Sequence, residues 1–136
     1  MGYTKTRVQE WTEVMGADGE KIFAVGGAVS GRFTANSAGG NVFLYGDTVP
    51  PGTLWVLYAL NAWDGTRAIS SMNVMVYRNG LFFIIEQIFN PAANQIVNIK
   101  SPAILFPGDQ PSALFVGTLA GDGVNMTYLG YSMVMP

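Results

Sequence analysis

The chain contains no cysteine and no histidine. Without cysteine it has no disulfide, no thiolate nucleophile and no thiolate metal site. Without histidine it lacks the commonest metal ligand and the side chain best suited to general base work near neutral pH. Charge is also scarce, at 12% of residues, and it is crowded toward the start. Lys5, Arg7, Glu10, Glu13, Asp18, Glu20 and Lys21 fall in the first 21 residues; beyond them come Arg32, Asp47, Asp64, Arg67, Arg78, Glu86, Lys100, Asp109 and Asp122. A net charge of −2 and an isoelectric point near 4.8 give no basic footprint for nucleic acid. Ser and Thr are plentiful, but no His or well-placed Lys is at hand to activate them. Phosphate-binding loops, dinucleotide-binding glycines and zinc spacings are missing as well. The chain is therefore expected to be no enzyme and to hold no cofactor and no metal.

Long apolar runs are absent too. The stretch from Leu54 to Ala62, which includes Asn61, is too short to cross a bilayer as a helix. The opening run Met1 to Arg7 lacks the apolar region of a secretory leader. Met1-Gly2 with Thr6 fits a myristoylation start loosely, but that match needs little more than a glycine and a hydroxyl. No membrane partner is expected.

What the chain does have is apolar mass, 49% of 136 residues, arranged with a period of two. That length suits one domain with one core. Met72, Val74 and Val76 alternate with Asn73, Met75 and Tyr77, which is the strand signal. Asn79-Gly80 then sits between apolar runs, and both residues tolerate the positive φ of a tight hairpin turn. This predicts that residues 71–78 pair antiparallel with 81–89. Turn-rich segments around Asp18, Gly39, Pro50, Asn90, Gly108 and Asp122 cut the remainder into runs of about 3–15, 21–34, 41–46, 53–63, 67–78, 95–99, 103–106, 112–119 and 124–135. No segment shows a helical stripe; Ala92-Ala93-Asn94 makes one turn at most. The expectation is an all-β, antiparallel, jelly-roll-like β-sandwich of about 8–10 short strands. Residues 1–20 form a charged N-terminal arm or edge strand, and residues 21–136 form a single sandwich domain.

Three constellations bear on chemistry. Asp18-Gly19, Gly46-Asp47, Asp64-Gly65, Gly108-Asp109 and Gly121-Asp122-Gly123 place carboxylates in glycine loops, as calcium sites do. None supplies a dense ligand series, and Asp beside Gly is what a β-turn selects, so turns are the better reading. Glu86 lies inside the apolar run 81–89. Alternation groups it with Phe82 and Ile84, and an ion pair with Arg67 or Arg78 is expected. Trp11, Trp55 and Trp63 could make an aromatic platform for sugar. Trp55 belongs to an apolar run and is assigned to the core, whereas Trp11 and Trp63 suit an interface.

Two stretches carry a family resemblance. Val49-Pro50-Pro51-Gly52-Thr53-Leu54-Trp55-Val56-Leu57 resembles a strand opening of small bacteriophage virion proteins. Ile104-Leu105-Phe106-Pro107-Gly108-Asp109, followed by Tyr128-Leu129-Gly130-Tyr131-Ser132-Met133, resembles their closing segments. The likeness covers residues 49–133 and leaves out the charged start. It implies a jelly-roll or related sandwich located in a virion, where such proteins decorate capsids or contribute to spikes and tails as homo-oligomers. Capsid decoration or a minor capsid role is thus expected, with the major capsid protein as a partner; a carbohydrate-binding sandwich is the alternative. A metal cupin, which also carries Pro-Gly-Asp, is ruled out by the missing histidines.

Apolar surplus points the same way. One core of this size cannot bury Leu54, Trp55, Leu57, Tyr58, Leu60, Met72, Met75, Leu81, Phe82, Phe83, Ile85 and Phe89 together, so a homo-oligomer is expected, trimer first and dimer second. Interface candidates are Val8, Trp11, Trp63, Phe82 and Phe83. Deleting residues 1–14 is expected to leave the sandwich folded, because the run holds few apolar side chains. The same deletion should weaken attachment to the particle or to neighbouring copies. Sedimentation and particle pull-down on both lengths of chain check this.

Overall fold

The structure is a computed structural model that describes residues 13–15 and 21–135. Ten strands follow in order: β1 (Glu13–Met15), β2 (Lys21–Asn36), β3 (Gly40–Tyr45), β4 (Thr53–Asp64), β5 (Ser71–Arg78), β6 (Leu81–Phe89), β7 (Val97–Asn98), β8 (Ala103–Leu105), β9 (Gln110–Thr118) and β10 (Gly123–Val134). They form two antiparallel sheets. The larger runs β1-β2-β10-β4-β7, with β8 also on β4, and the smaller runs β3-β9-β5-β6. Apart from β5 to β6 and the short β7 to β8 step, each connection from β2 onward crosses from one sheet to the other. That interleaving is the jelly-roll arrangement, as the sequence predicts.

Alternation sets the core. From the larger sheet, Val29, Trp55, Leu57, Leu60, Ala62, Val124, Met126 and Tyr128 point inward; from the smaller, Leu44, Met72, Val74, Val76, Ala113 and Phe115 meet them. Trp55 thus takes the core position expected of it. Gly31 faces the Tyr128 ring so closely that a Cβ there would collide with it. Tyr128 in turn donates from its hydroxyl to Asp47 Oδ2 at 2.8 Å and accepts from the Asp47 amide at 3.1 Å. Burial first, and then the Asp47 carboxylate, push the phenol up to about 12.

The hairpin appears where Asn79-Gly80 predicts it. Residues 71–78 pair with 81–89, and the turn residues take φ of 51° and 79°. Two details differ from the sequence reading. Strand β5 starts at Ser71 and not at 67, because Asp64 Oδ1 accepts the backbone amides of Thr66 and Arg67 and holds that segment in a turn. A β-bulge also interrupts β6: Val74 faces Glu86, Met75 faces Ile84, and Ile85 is the extra residue. The bulge moves Glu86 to the face opposite Phe82 and Ile84, against simple alternation.

Gly80→Val is expected to cost about 1 kcal/mol or more, since a β-branched residue resists φ of 79°. A urea melt that shows a lower midpoint at unchanged slope checks it.

Candidate functional site

The outer face of the smaller sheet is the unusual surface of this chain. On β5, Met72, Val74 and Val76 face the core, so Ser71, Asn73, Met75 and Tyr77 face away from it. An outward-facing strand residue would normally meet water. Here Met75 is 1% exposed, Asn73 2% and Ser112 0%.

Their cover is aromatic. Register places Tyr45, Ser112, Met75 and Ile84 in one row across β3, β9, β5 and β6. Phe43 on β3 and Phe82 on β6 belong to the two outermost strands, roughly 14 Å apart at ordinary strand spacing. Their rings nevertheless stack at 5.0 Å, having leaned inward over the two central strands. Tyr77 packs on Phe82 at 4.8 Å and on Tyr45 at 5.5 Å. The outcome is a roof of four rings over Met75 and Ser112. The roof itself stays wet: Phe43 is 40% exposed, Tyr45 43% and Phe82 36%. Ile84 and Phe89 extend the apolar surface along β6. No charged residue stands in any row of this face.

One polar atom on the face is unsatisfied. Asn73 donates from Nδ2 to the Leu114 carbonyl at 3.5 Å, while its buried Oδ1 has no partner. An unpaired buried acceptor costs about 1–3 kcal/mol.

Charges that might have flanked the roof are engaged elsewhere. Arg78 leaves the face and grips Asp109 through Nε at 2.9 Å and Nη2 at 2.6 Å. Its guanidinium lies over the rings of Phe106 and Phe83. Arg67 likewise holds Asp122. The two carboxylates sit in matching turns, Phe106-Pro107-Gly108-Asp109 and Leu119-Ala120-Gly121-Asp122. In each, the carboxylate accepts the amide of the first residue, at 2.8 Å and 3.0 Å. The third residue is a glycine at φ near 90° in both. The glycine-aspartate loops at these two places are therefore turns latched by arginine. Burial raises the Asp109 carboxyl, but Arg78 and the Phe106 amide outweigh it and hold the group below the usual carboxylate range. Asp122 behaves alike: the Leu119 amide and Arg67 overcome the effect of burial. Glu86 pairs with Lys100 at 3.2 Å. The expected partners, Arg67 and Arg78, are committed to the two turns, and the bulge turns Glu86 away from the hairpin's outer face.

The interface candidates do not converge. Phe82 is in the roof. Phe83 points to the other side of β6, beside Arg78. Trp63 is half-buried on the outer face of the larger sheet, across the sandwich from the roof. Val8 and Trp11 lie outside the described residues. Phe43, Tyr45, Tyr77 and Ile84 are the residues that sequence reasoning missed. Their alternation within each strand was visible, but which strands lie side by side was not.

No protein-family model matches the chain, and no curated protein matches it. Solved structures do. It is similar to a chain of the Bacillus endospore appendages, a novel family of disulfide-linked pili, at 12% identity over 90% of this chain and 96% of that one, with a TM-score of 0.47. It is similar to a chain of the acid-stable capsid of Helicobacter pylori bacteriophage KHP30 at 8% identity, over 74% and 93% of the two chains, with a TM-score of 0.45. Carbohydrate-binding module CBM29-2 is similar at 17% identity, over 87% and 81%, with a TM-score of 0.35. Likenesses at this level carry no argument about function, and the fold stands on the sheet topology above.

Asp109→Asn is expected to destabilise the chain by about 2 kcal/mol at neutral pH. Breaking a fully buried pair costs about 3–5 kcal/mol, and Arg78 is 37% exposed, so solvent screening reduces the figure. Because the folded carboxyl titrates below its unfolded value of about 3.9, its contribution is present above that pH. It is lost as pH falls through the lowered value. Thermal melts from pH 6 to pH 2 should show a steeper acid loss for the wild type than for Asp109→Asn.

Proposed function

We propose that the protein is a structural subunit of a virus particle, a homo-oligomer that adheres to coat subunits through the outer face of its smaller sheet. The role is mechanical and non-catalytic. The observation that carries this reading is the charge-free roof of Phe43, Tyr45, Tyr77 and Phe82, with the unsatisfied Asn73 Oδ1 beneath it. An apolar patch of this kind on a chain so poor in charge favours a protein partner over water. Covering 1,000 Å² of apolar surface contributes on the order of 25 kcal/mol gross, much of which association costs offset. The virion setting rests on the resemblance carried by residues 49–57 and 104–133.

A sugar ligand fits this face less well. Sugar sites combine a ring platform with polar groups that reach the hydroxyls. Here Gln110 donates to the Gly46 carbonyl, and Asn73 and Ser112 are buried under the roof.

Co-sedimentation with coat subunits encoded beside its gene tests the proposal. The wild type should bind, and Phe43→Asp and Phe82→Asp should each bind at least tenfold more weakly while keeping a cooperative melt. Absence of binding to any coat component, with a positive glycan array, would move the protein to the sugar-binding class.

A further inference from the structure

Strand β6 is a long apolar edge, guarded only by the bulge at Ile85 and the inward-facing Glu86. It has nine residues, contains no proline, glycine, lysine or arginine, and its single carboxylate, Glu86, is neutralised by Lys100. Exposed edges normally carry such safeguards against pairing with another chain. The edges of the larger sheet among the described residues have them. β7 and β8 are two and three residues long, and Lys100 and Pro102 lie between them. β3, the other edge of the smaller sheet, is shorter than β6, at six residues against nine. The stretch of β2 that β1 leaves unpaired contains Gly26, Gly27, Gly31 and Arg32.

We propose that two copies of the chain pair β6 to β6, antiparallel about a two-fold axis, joining their smaller sheets into one sheet of eight strands. This inference rests on the homo-oligomer part of the proposed function and names the contact that makes it. The occupant is a second copy for three reasons. First, antiparallel pairing of a strand with itself is isologous, so one edge suffices for a closed dimer. A ring of three would need two different matching edges on each copy, and no other edge here resembles β6. Second, the strand's one charge is partnered: the two Glu86 carboxylates that meet near the axis each keep Lys100 as a cation. Third, the strand has apolar side chains for a partner to cover. Leu81, Phe83 and Ile85, on the side away from the roof, are between 36% and 61% exposed, and an added strand covers them together with the free backbone edge.

The space beside β6 agrees. A groove of about 490 Å³ runs between the β6 edge and the segment before β8, walled by Phe83, Ile85, Glu86, Lys100, Ala103 and Ile104. A strand added to β6 sets its inward-facing side chains over this groove. On the outer side, pairing places the two aromatic roofs on one continuous sheet, so the coat-binding face is doubled and left uncovered.

The missing cysteines make the test clean, because a single introduced thiol reports alone. Cysteine is placed in turn at each position from Leu81 to Phe89, and disulfide dimers are scored after mild oxidation. Yield should peak at one or two adjacent positions near the middle of the strand, where the two-fold axis sets a residue opposite itself. It should fall away toward Leu81→Cys and Phe89→Cys. Sedimentation equilibrium should find a wild-type dimer, and Ile84→Lys should raise its dissociation constant at least tenfold with the melt retained. Gln87→Lys, at another exposed site, serves as the second variant. A monomeric wild type at micromolar concentration would overturn both the pairing and the homo-oligomer reading. A dimer or trimer that both lysine variants leave intact, or a cross-linking profile without a central peak, would overturn the pairing alone.

Discussion

Strand β5 is covered on both faces, and the rest of the molecule is organised around that constraint. A strand inside a two-layer sandwich has one face on the core and one toward water. β5 sends Met72, Val74 and Val76 to the core. On the other side Asn73 and Met75 are as buried as the core residues, although no second layer among the described residues lies over them. Cover comes from rings on β3 and β6 that lean across their neighbours. Burial of β5 thus leaves the covering rings themselves exposed. The smaller sheet hides its centre by displaying its rim, and the displayed rim is apolar, flat and uncharged.

Charge placement complements this. Arg78 emerges from the end of β5 next to the roof, yet its guanidinium turns to Asp109 and is flanked by Phe83 and Phe106. Arg67 performs the same service for Asp122 at the second turn. Asp47 is tied to Tyr128, and Lys100 to Glu86. Such latches orient the loops between strands. They also keep charge away from the outer face of the smaller sheet. The two arginine-latched turns share a residue pattern, hydrophobic-x-Gly-Asp, and the same pair of backbone contacts, so one local solution is used twice.

Much of this was legible in the sequence. Asn79-Gly80 fixed a hairpin whose register follows from a two-residue turn. Period-two runs and the glycine, proline and aspartate punctuation placed β2 to β10 to within a few residues, with the start of β5 read four residues too early. Trp55 read correctly as core; of the twelve apolar residues read as too many for one core, Leu57, Leu60, Met72 and Met75 are buried with it, while Tyr58, Leu81, Phe82, Phe83, Ile85 and Phe89 are exposed. Three features were hidden, each for a physical reason. The bulge at Ile85 leaves no mark in the pattern, so Glu86 seemed to share a face with Ile84. Ion-pair partners depend on distances between loops that sequence does not encode, so Glu86 was matched to arginines that hold Asp109 and Asp122. The roof joins Phe43 to Phe82 across two intervening strands, and only the order of strands in the sheet brings them together.

The central claim is that the aromatic roof is covered by protein in the working assembly. Hydroxyl-radical footprinting of the free chain and of the assembled particle measures this directly, since ring oxidation follows solvent exposure. Phe43, Tyr45, Tyr77 and Phe82 should be oxidised readily in the free chain and be protected together in the assembly, while Tyr58, exposed on the larger sheet, stays reactive. Equal oxidation of the four rings in both states would contradict the account.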